Sequence, residues 1–265
     1  MRLDDVSGFV FDVDGTLVHR AGEDVHVQPG AREALERIRA SGRPFALFTN
    51  GSHAPPETFA SGLRAVGLDV ADDELLTPLR SVQSYLRGGD GAVLLFASET
   101  AREYLVHAGL RIAVADEPAD VVFVAHTDAV DFEALERAAR AVIAGAPLLT
   151  GSYASAYAGA NGPIISRGAM LAAAIAKASS AEPVIVGKPS QVALETIVEQ
   201  LGSPPDELAV IGDDLGMDIA LGRMGGARTV LVRSGISRLI ELDDIAEPDR
   251  PDAIVDGIAD LLDWL

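Results

Sequence analysis

Short apolar runs alternate along this chain with segments whose apolar residues recur every three to four positions. That alternation specifies a parallel α/β sheet. A strand covered by helices on both faces has no polar side, so it reads as an unbroken apolar run. Gly8–Val13, Phe45–Thr49, Val184–Val186, Leu208–Ile211 and Arg228–Val232 read this way. Between them, Ala31, Ala34, Leu35 and Ile38 have helical spacing, and Phe59, Leu63 and Val66 form a helix that Gly67 can end. Ser190 can cap a helix with Leu194, Ile197, Val198 and Leu201 on its apolar face, and Leu215–Met224 reads as a further helix.

The middle third carries an alternation of its own: strand Ala92–Phe96, helix Glu99–Ala108, strand Asp120–Ala125, a helix with Leu135, Ala138, Ala139 and Val142 on one face, and strand Pro147–Leu149. Pro78 and Pro183 interrupt the pattern and mark hinges near Thr77–Arg80 and Ala181–Val184. These hinges divide the chain into residues 1–79, 80–184 and 185–265.

Composition narrows the function classes. Among 265 residues, 21 Lys+Arg face 40 Asp+Glu, for a net charge of −19. Such a balance argues against nucleic-acid partners, which are held through Lys and Arg, and against anionic membrane surfaces. The chain has no cysteine, which excludes disulfides, a thiolate nucleophile and Cys-ligated metals. Its apolar runs are far shorter than the roughly 18 residues of a spanning helix, and Met1–Ser7 has no basic-then-apolar signal pattern. A cytoplasmic protein is expected. Lysine occurs only at Lys177 and Lys188, and every other cation is arginine.

The strongest chemical signal is Phe9–Val18, FVFDVDGTLV, where a buried strand runs into two aspartates and a Gly-Thr turn. In extended chain Asp12 and Asp14 project to one side, and two carboxylates so placed call for a cation between them. An acidic surface turn would share the Asp-Gly signal. Three other strand ends weigh against that blander reading. Thr49, Asn50 and Gly51 offer a hydroxyl, an amide and backbone N–H groups; Gly187-Lys188-Pro189-Ser190 places a lysine before a helix; Gly212-Asp213-Asp214 follows a strand, with Asp218 beyond. In an open α/β sheet such strand ends share one crevice.

The ordered set DVDGT at Asp12–Thr16, TN at Thr49–Asn50, GKP at Gly187–Pro189 and GDDLGMD at Gly212–Asp218 resembles the haloacid dehalogenase (HAD) superfamily, in its NagD-like, 4-nitrophenylphosphatase-like branch. The resemblance implies a Rossmann-like core with an inserted α/β cap, and a phosphatase of small-molecule phosphate monoesters working through an aspartyl-phosphate. It makes Asp12 the nucleophile and Asp14 the acid and base, with Thr49 and Lys188 holding the phosphoryl oxygens. Mg2+ would be bound by Asp12, the Asp14 carbonyl and Asp213, and Asp218 would support them from behind. Asn50 and Gly51, with Ser152 and Tyr153 of the Gly151–Pro163 loop, are candidate substrate contacts.

Asp14 also separates this chain from the dehalogenases, which lack a carboxylate there. A phosphonate-cleaving enzyme would need a Schiff-base lysine in the cap, and Lys177, on an Ala-rich helix, reads as solvated. Asp214 and Met217 depart from the branch's usual arginine and threonine. They are the one support for an alternative: a catalytically weak phosphoester-binding or regulatory protein. The five histidines lack metal-ligand spacing, though His53 lies close enough to the second motif to touch substrate. The cap surface is a candidate homodimer contact.

Overall fold

The computed structural model describes residues 2–21, 24–115, 117–157, 164–241, 243 and 245–265. A six-stranded parallel sheet forms the centre, in the spatial order Ala253–Val255, Arg228–Val232, Leu208–Gly212, Gly8–Phe11, Phe45–Phe48, Leu75–Leu76. Its inner strands are buried throughout, as their apolar runs require. Phe9, Phe11 and Leu47 point into one apolar layer with Leu35 and Ile38, and Val10, Ala46 and Phe48 point into the other with Leu194 and Ile197. Gly8–Phe11 lies between Phe45–Phe48, which follows it in the chain, and Leu208–Gly212, which returns from the far side. Strand order reverses at that point, so the end of Gly8–Phe11 opens on the crevice where such sheets bind ligands.

A second parallel sheet takes the order Val184–Ile185, Leu148–Thr150, Val121–Val124, Val93–Phe96. Helices Phe132–Ile143 and Arg167–Ser179 pack on it through Ala138, Val142, Leu171 and Ile175. Lys177 is exposed on the second of these helices, as its Ala-rich surroundings imply. The strand expected at Val184–Val186 pairs with Leu149 and Thr150, so the second sheet reaches one residue past the boundary expected at 184. Two short strands, Leu75–Leu76 and Ala253–Val255, extend the central sheet beyond what the apolar runs suggest. The helix expected over Leu215–Met224 is split into a π turn, Leu215–Ile219, and a short α-helix, Ala220–Gly225. None of the described helices is long and apolar enough to cross a membrane.

Candidate active site

Asp12 leaves the central strand with its N–H donating to Ile211 O at 2.9 Å, which fixes the backbone at the crevice. The regular strand ends at Phe11, and the chain then turns, with Leu17 and Val18 N–H both bonding Val13 O. Gly15 occupies this turn at φ 95°, and a Cβ there would lie 2.3 Å from Asp213 Oδ2. Within the turn the Asp14 carboxylate is about half exposed and paired with Arg20, on the hairpin formed by Val18–Ala21 and Asp24–Val27. The carboxylates that close on Asp12 come from elsewhere in the chain: oxygens of Asp12, Asp213 and Asp218 lie within 4.8 Å of one another.

Lys188 is the cation of this cluster. Its Nζ donates to Asp12 Oδ1 and Asp218 Oδ1, both at 2.7 Å, and lies 5.7 Å from the centre of the Phe48 ring. Burial alone would lower the lysine's pKa, but the two carboxylates outweigh it and raise the group above its ordinary value. Asp12 is raised well above the usual carboxylate range by burial, opposed by Lys188 and reinforced by Asp218 and Asp213. Asp213 is pushed up to about 7, first by burial and then by Asp218. Three buried carboxylates facing one ammonium are two positive charges short.

A divalent cation would supply that charge, and the donors suit it. Asp12 Oδ2 is buried and has no hydrogen-bond partner. Asp213 commits Oδ2 to the Ile236 N–H at 2.6 Å, and no hydrogen bond among the described residues reaches its other oxygen. Asp218 has both oxygens engaged, Oδ1 by Lys188 and Oδ2 by the Asp214 N–H at 3.1 Å. All available donors are carboxylate or carbonyl oxygens, the set that hard cations such as Mg2+ prefer.

The remaining expected residues divide. Thr49 is buried at the end of Phe45–Phe48, its Oγ1 accepting from Gly51 N–H at 3.2 Å, so that N–H is not free. The Asn50 side chain faces Lys188: Oδ1 accepts the Lys188 N–H at 2.7 Å and Nδ2 donates to the Lys188 carbonyl at 2.8 Å. Asp214 caps the π turn, its Oδ1 accepting from Gly216 and Met217 N–H. Among the described residues, no hydrogen bond joins Ser152 or Tyr153 to the cluster; Thr150 Oγ1 donates to Ser152 O, and Tyr153 is exposed. Residues 158–163 of the same loop lie outside the described residues. Two participants went unread in the sequence: Arg20 faces Asp14 and Ile236 holds Asp213. His126, just past the strand Val121–Val124, stands edge-on to His53 with ring centres 5.9 Å apart.

An aspartate at the reversal point, close to two further carboxylates and a buried lysine, with a second parallel sheet in the same chain, is the arrangement of a HAD-type hydrolase. Residues 9–111 match the family model of haloacid dehalogenase-like hydrolases and residues 185–261 match a HAD-hydrolase-like model. The ribonucleotide monophosphatase NagD of Escherichia coli K12 is 30% identical over 260 residues, covering 97% of this chain and 98% of that protein. A dihydroxyacetone phosphatase of Corynebacterium glutamicum is 29% identical over 263 residues, covering 96% and 90%. Among solved structures, a p-nitrophenyl phosphatase from Archaeoglobus fulgidus superposes with a TM-score of 0.87 at 28% identity, covering 98% of this chain and all of that one. This chain belongs to the haloacid dehalogenase-like hydrolase family, in its NagD-like branch.

Proposed function

We propose that this protein is a Mg2+-dependent phosphatase that hydrolyses a small-molecule phosphate monoester through an aspartyl-phosphate on Asp12. Phosphoric monoester hydrolysis itself follows from the branch to which the chain belongs. The observation that carries the residue roles is the buried Asp12 carboxylate, held at Oδ1 by Lys188 and unpartnered at Oδ2. A carboxylate restrained by Lys188 is already oriented, with lone pairs left both for a cation and for attack on phosphorus without reorganising.

In the first step an Asp12 oxygen forms a bond to phosphorus as the ester P–O bond breaks, and Asp14 gives its proton to the leaving oxygen. In the second, water loses a proton to Asp14 and attacks phosphorus, which releases Asp12 and inorganic phosphate. Asp14 suits this exchange because it stands at the exposed rim, where leaving alcohol and water pass. Thr49 Oγ and Lys188 Nζ would donate to the phosphoryl oxygens, whose charge is greatest in the transition state. Asp12 and Asp213, with the Asp14 carbonyl, would hold Mg2+, which when bound offsets the charge of the carboxylates and the phosphoryl group. Asp214 and Met217, the two departures in the fourth motif, have structural employment in the π turn and beside Asn50, which removes the support for a non-hydrolytic protein.

Residues 80–184 would act as a cap over this site, hinged near Arg80 and Pro183. The unmatched stretch between the two family models falls inside that unit. Ser98 and Ser52 already bridge it to the core, by bonds to His53 O at 2.6 Å and from His126 N–H at 3.0 Å. A homodimer contact would form on the helix Phe132–Ile143 of this unit, where Phe132 is 88% exposed and Ile143 67%; sedimentation of Phe132→Ser against wild type tests it. We place the protein in the cytoplasm. The function is tested by phosphate release from a panel of sugar, nucleotide and small-acid phosphates with Mg2+. Turnover abolished in a folded Asp12→Asn variant is expected, and undiminished turnover would reject the mechanism.

A further inference from the structure

The chain returns from the second sheet only two residues before Lys188: Ile185 pairs with Thr150, and Val186 N–H still bonds Thr150 O at 2.9 Å. Any movement of that sheet therefore pulls on the backbone carrying the buried ammonium. Something must hold Lys188 to the core. The next residue, Pro189, has no N–H, so regular backbone pairing cannot continue through this point.

We infer that Asn50 is a positioning residue whose side chain clamps Lys188 instead of contacting substrate. Its amide reproduces a backbone ladder rung, accepting from Lys188 N–H at 2.7 Å and donating to Lys188 O at 2.8 Å across 138 positions of sequence. Both hydrogen-bonding groups of the Lys188 backbone are thereby satisfied by one side chain. The same Nδ2 lies 3.3 Å from Met217 Sδ, so the amide joins the second, third and fourth motifs at one point. Gly187 lets the backbones close on this point, because a Cβ there would lie 2.2 Å from Gly151 O and 2.6 Å from Asn50 Oδ1. With its oxygen and nitrogen committed to Lys188, the Asn50 side chain acts on the reaction only through where it puts Lys188 Nζ between Asp12 and Asp218.

The inference rests on the phosphatase reading for its kinetic arm and not for its structural arm. Misplacing an aligned group by about 1 Å can cost on the order of 100-fold in rate. Asn50→Ala is expected to lower kcat by about that factor while KM changes little, and to weaken inhibition by orthovanadate far more than inhibition by inorganic phosphate. Asn50→Asp, isosteric and still able to accept the Lys188 N–H but unable to donate to the Lys188 carbonyl, preserves the packing volume that Ala removes and should show the same split. A raised KM with kcat retained would make Asn50 a substrate contact and overturn the proposal, as would kinetics indistinguishable from wild type. Crystal structures of the two variants decide the point whichever ester is cleaved. A displaced Lys188 Nζ supports the clamp, and an unmoved one rejects it. Wild-type protein inactive on every ester would instead count against the phosphatase reading, leaving the crystallographic test in force.

Discussion

Asp218 anchors Lys188: one oxygen takes the ammonium at 2.7 Å, and the other accepts the Asp214 N–H at 3.1 Å. The lysine is thus tied to the backbone of the π turn through a carboxylate that is itself 2% exposed. A buried ion pair is weak support for stability as a whole, but removing one partner leaves the other charge poorly compensated. Here the lysine would keep Asp12 alone.

Asp218→Ala should therefore destabilise the protein by about 3 kcal/mol and lower kcat together with it. Urea unfolding and steady-state kinetics measure the two effects. A variant as stable as wild type would mean that the Lys188–Asp12 pair suffices. Asp218→Asn, which retains an acceptor for the Asp214 N–H, should fall between the two.

The Arg20–Asp14 pair calls for the opposite expectation, since both side chains are nearly half exposed. Exposed pairs contribute about 0–1 kcal/mol, so Arg20→Gln and Asp14→Asn should both unfold at close to the wild-type urea midpoint. Activity should separate them. Asp14→Asn removes the proton donor, which is worth roughly 100- to 10,000-fold in such reactions, and the loss should be smaller for 4-nitrophenyl phosphate, whose leaving group needs little protonation, than for an alkyl phosphate. Equal losses on both substrates would deny Asp14 its acid role.

Gly15 is fixed twice over, by φ 95° and by the 2.3 Å approach of a Cβ to Asp213 Oδ2. Gly15→Ala should cost about 1–3 kcal/mol and also displace Asp213. Differential scanning calorimetry with and without Mg2+ reads both: a lower Tm, and a smaller upward shift on adding the cation. A full Mg2+ shift in the variant would show that Asp213 can move without loss of the cation site.

Much of this architecture is legible before any coordinates. Strands such as GFVF and FALF are buried on both faces, and a strand in that position can only be an apolar run. Asp12, Thr49, Lys188 and Asp213 stand at or near strand ends, and parallel topology gathers those ends at one crevice. The rest depends on relations that leave little trace in residue type. Leu75–Leu76 is two residues long and defined by its neighbour Phe45–Phe48. Ile236 holds Asp213 through its backbone N–H, which any residue but proline would supply. Val184–Ile185 reads as a buried strand, but its sheet is set by pairing with Leu149 and Thr150. Asn50 reads as a polar turn residue next to a motif threonine, and only the fold reveals that its partner is 138 positions away.

The carboxylate cluster predicts an unusual dependence of stability on pH. Burial, and after it Asp218, push Asp213 up to about 7 from an ordinary 3.8. Between these values the folded, metal-free protein keeps a proton that the unfolded chain has released. Since the folded state binds more protons at Asp213 there, that group's contribution to stability falls as pH rises through the window and levels off above about 7. Asp213→Asn cannot titrate at this position. The difference in unfolding free energy, wild type minus Asp213→Asn, should therefore shift against wild type from about pH 4 to about pH 7 in chelator-treated buffer and be flat above. Mg2+ competes with that proton, so the apparent affinity of wild type for Mg2+ should rise with pH over the same interval. Urea titrations at several pH values and calorimetric Mg2+ titration check both slopes. A stability difference that moves in favour of wild type as pH rises without metal would mean that Asp213 is ionised in the folded state and that Lys188 alone balances the cluster.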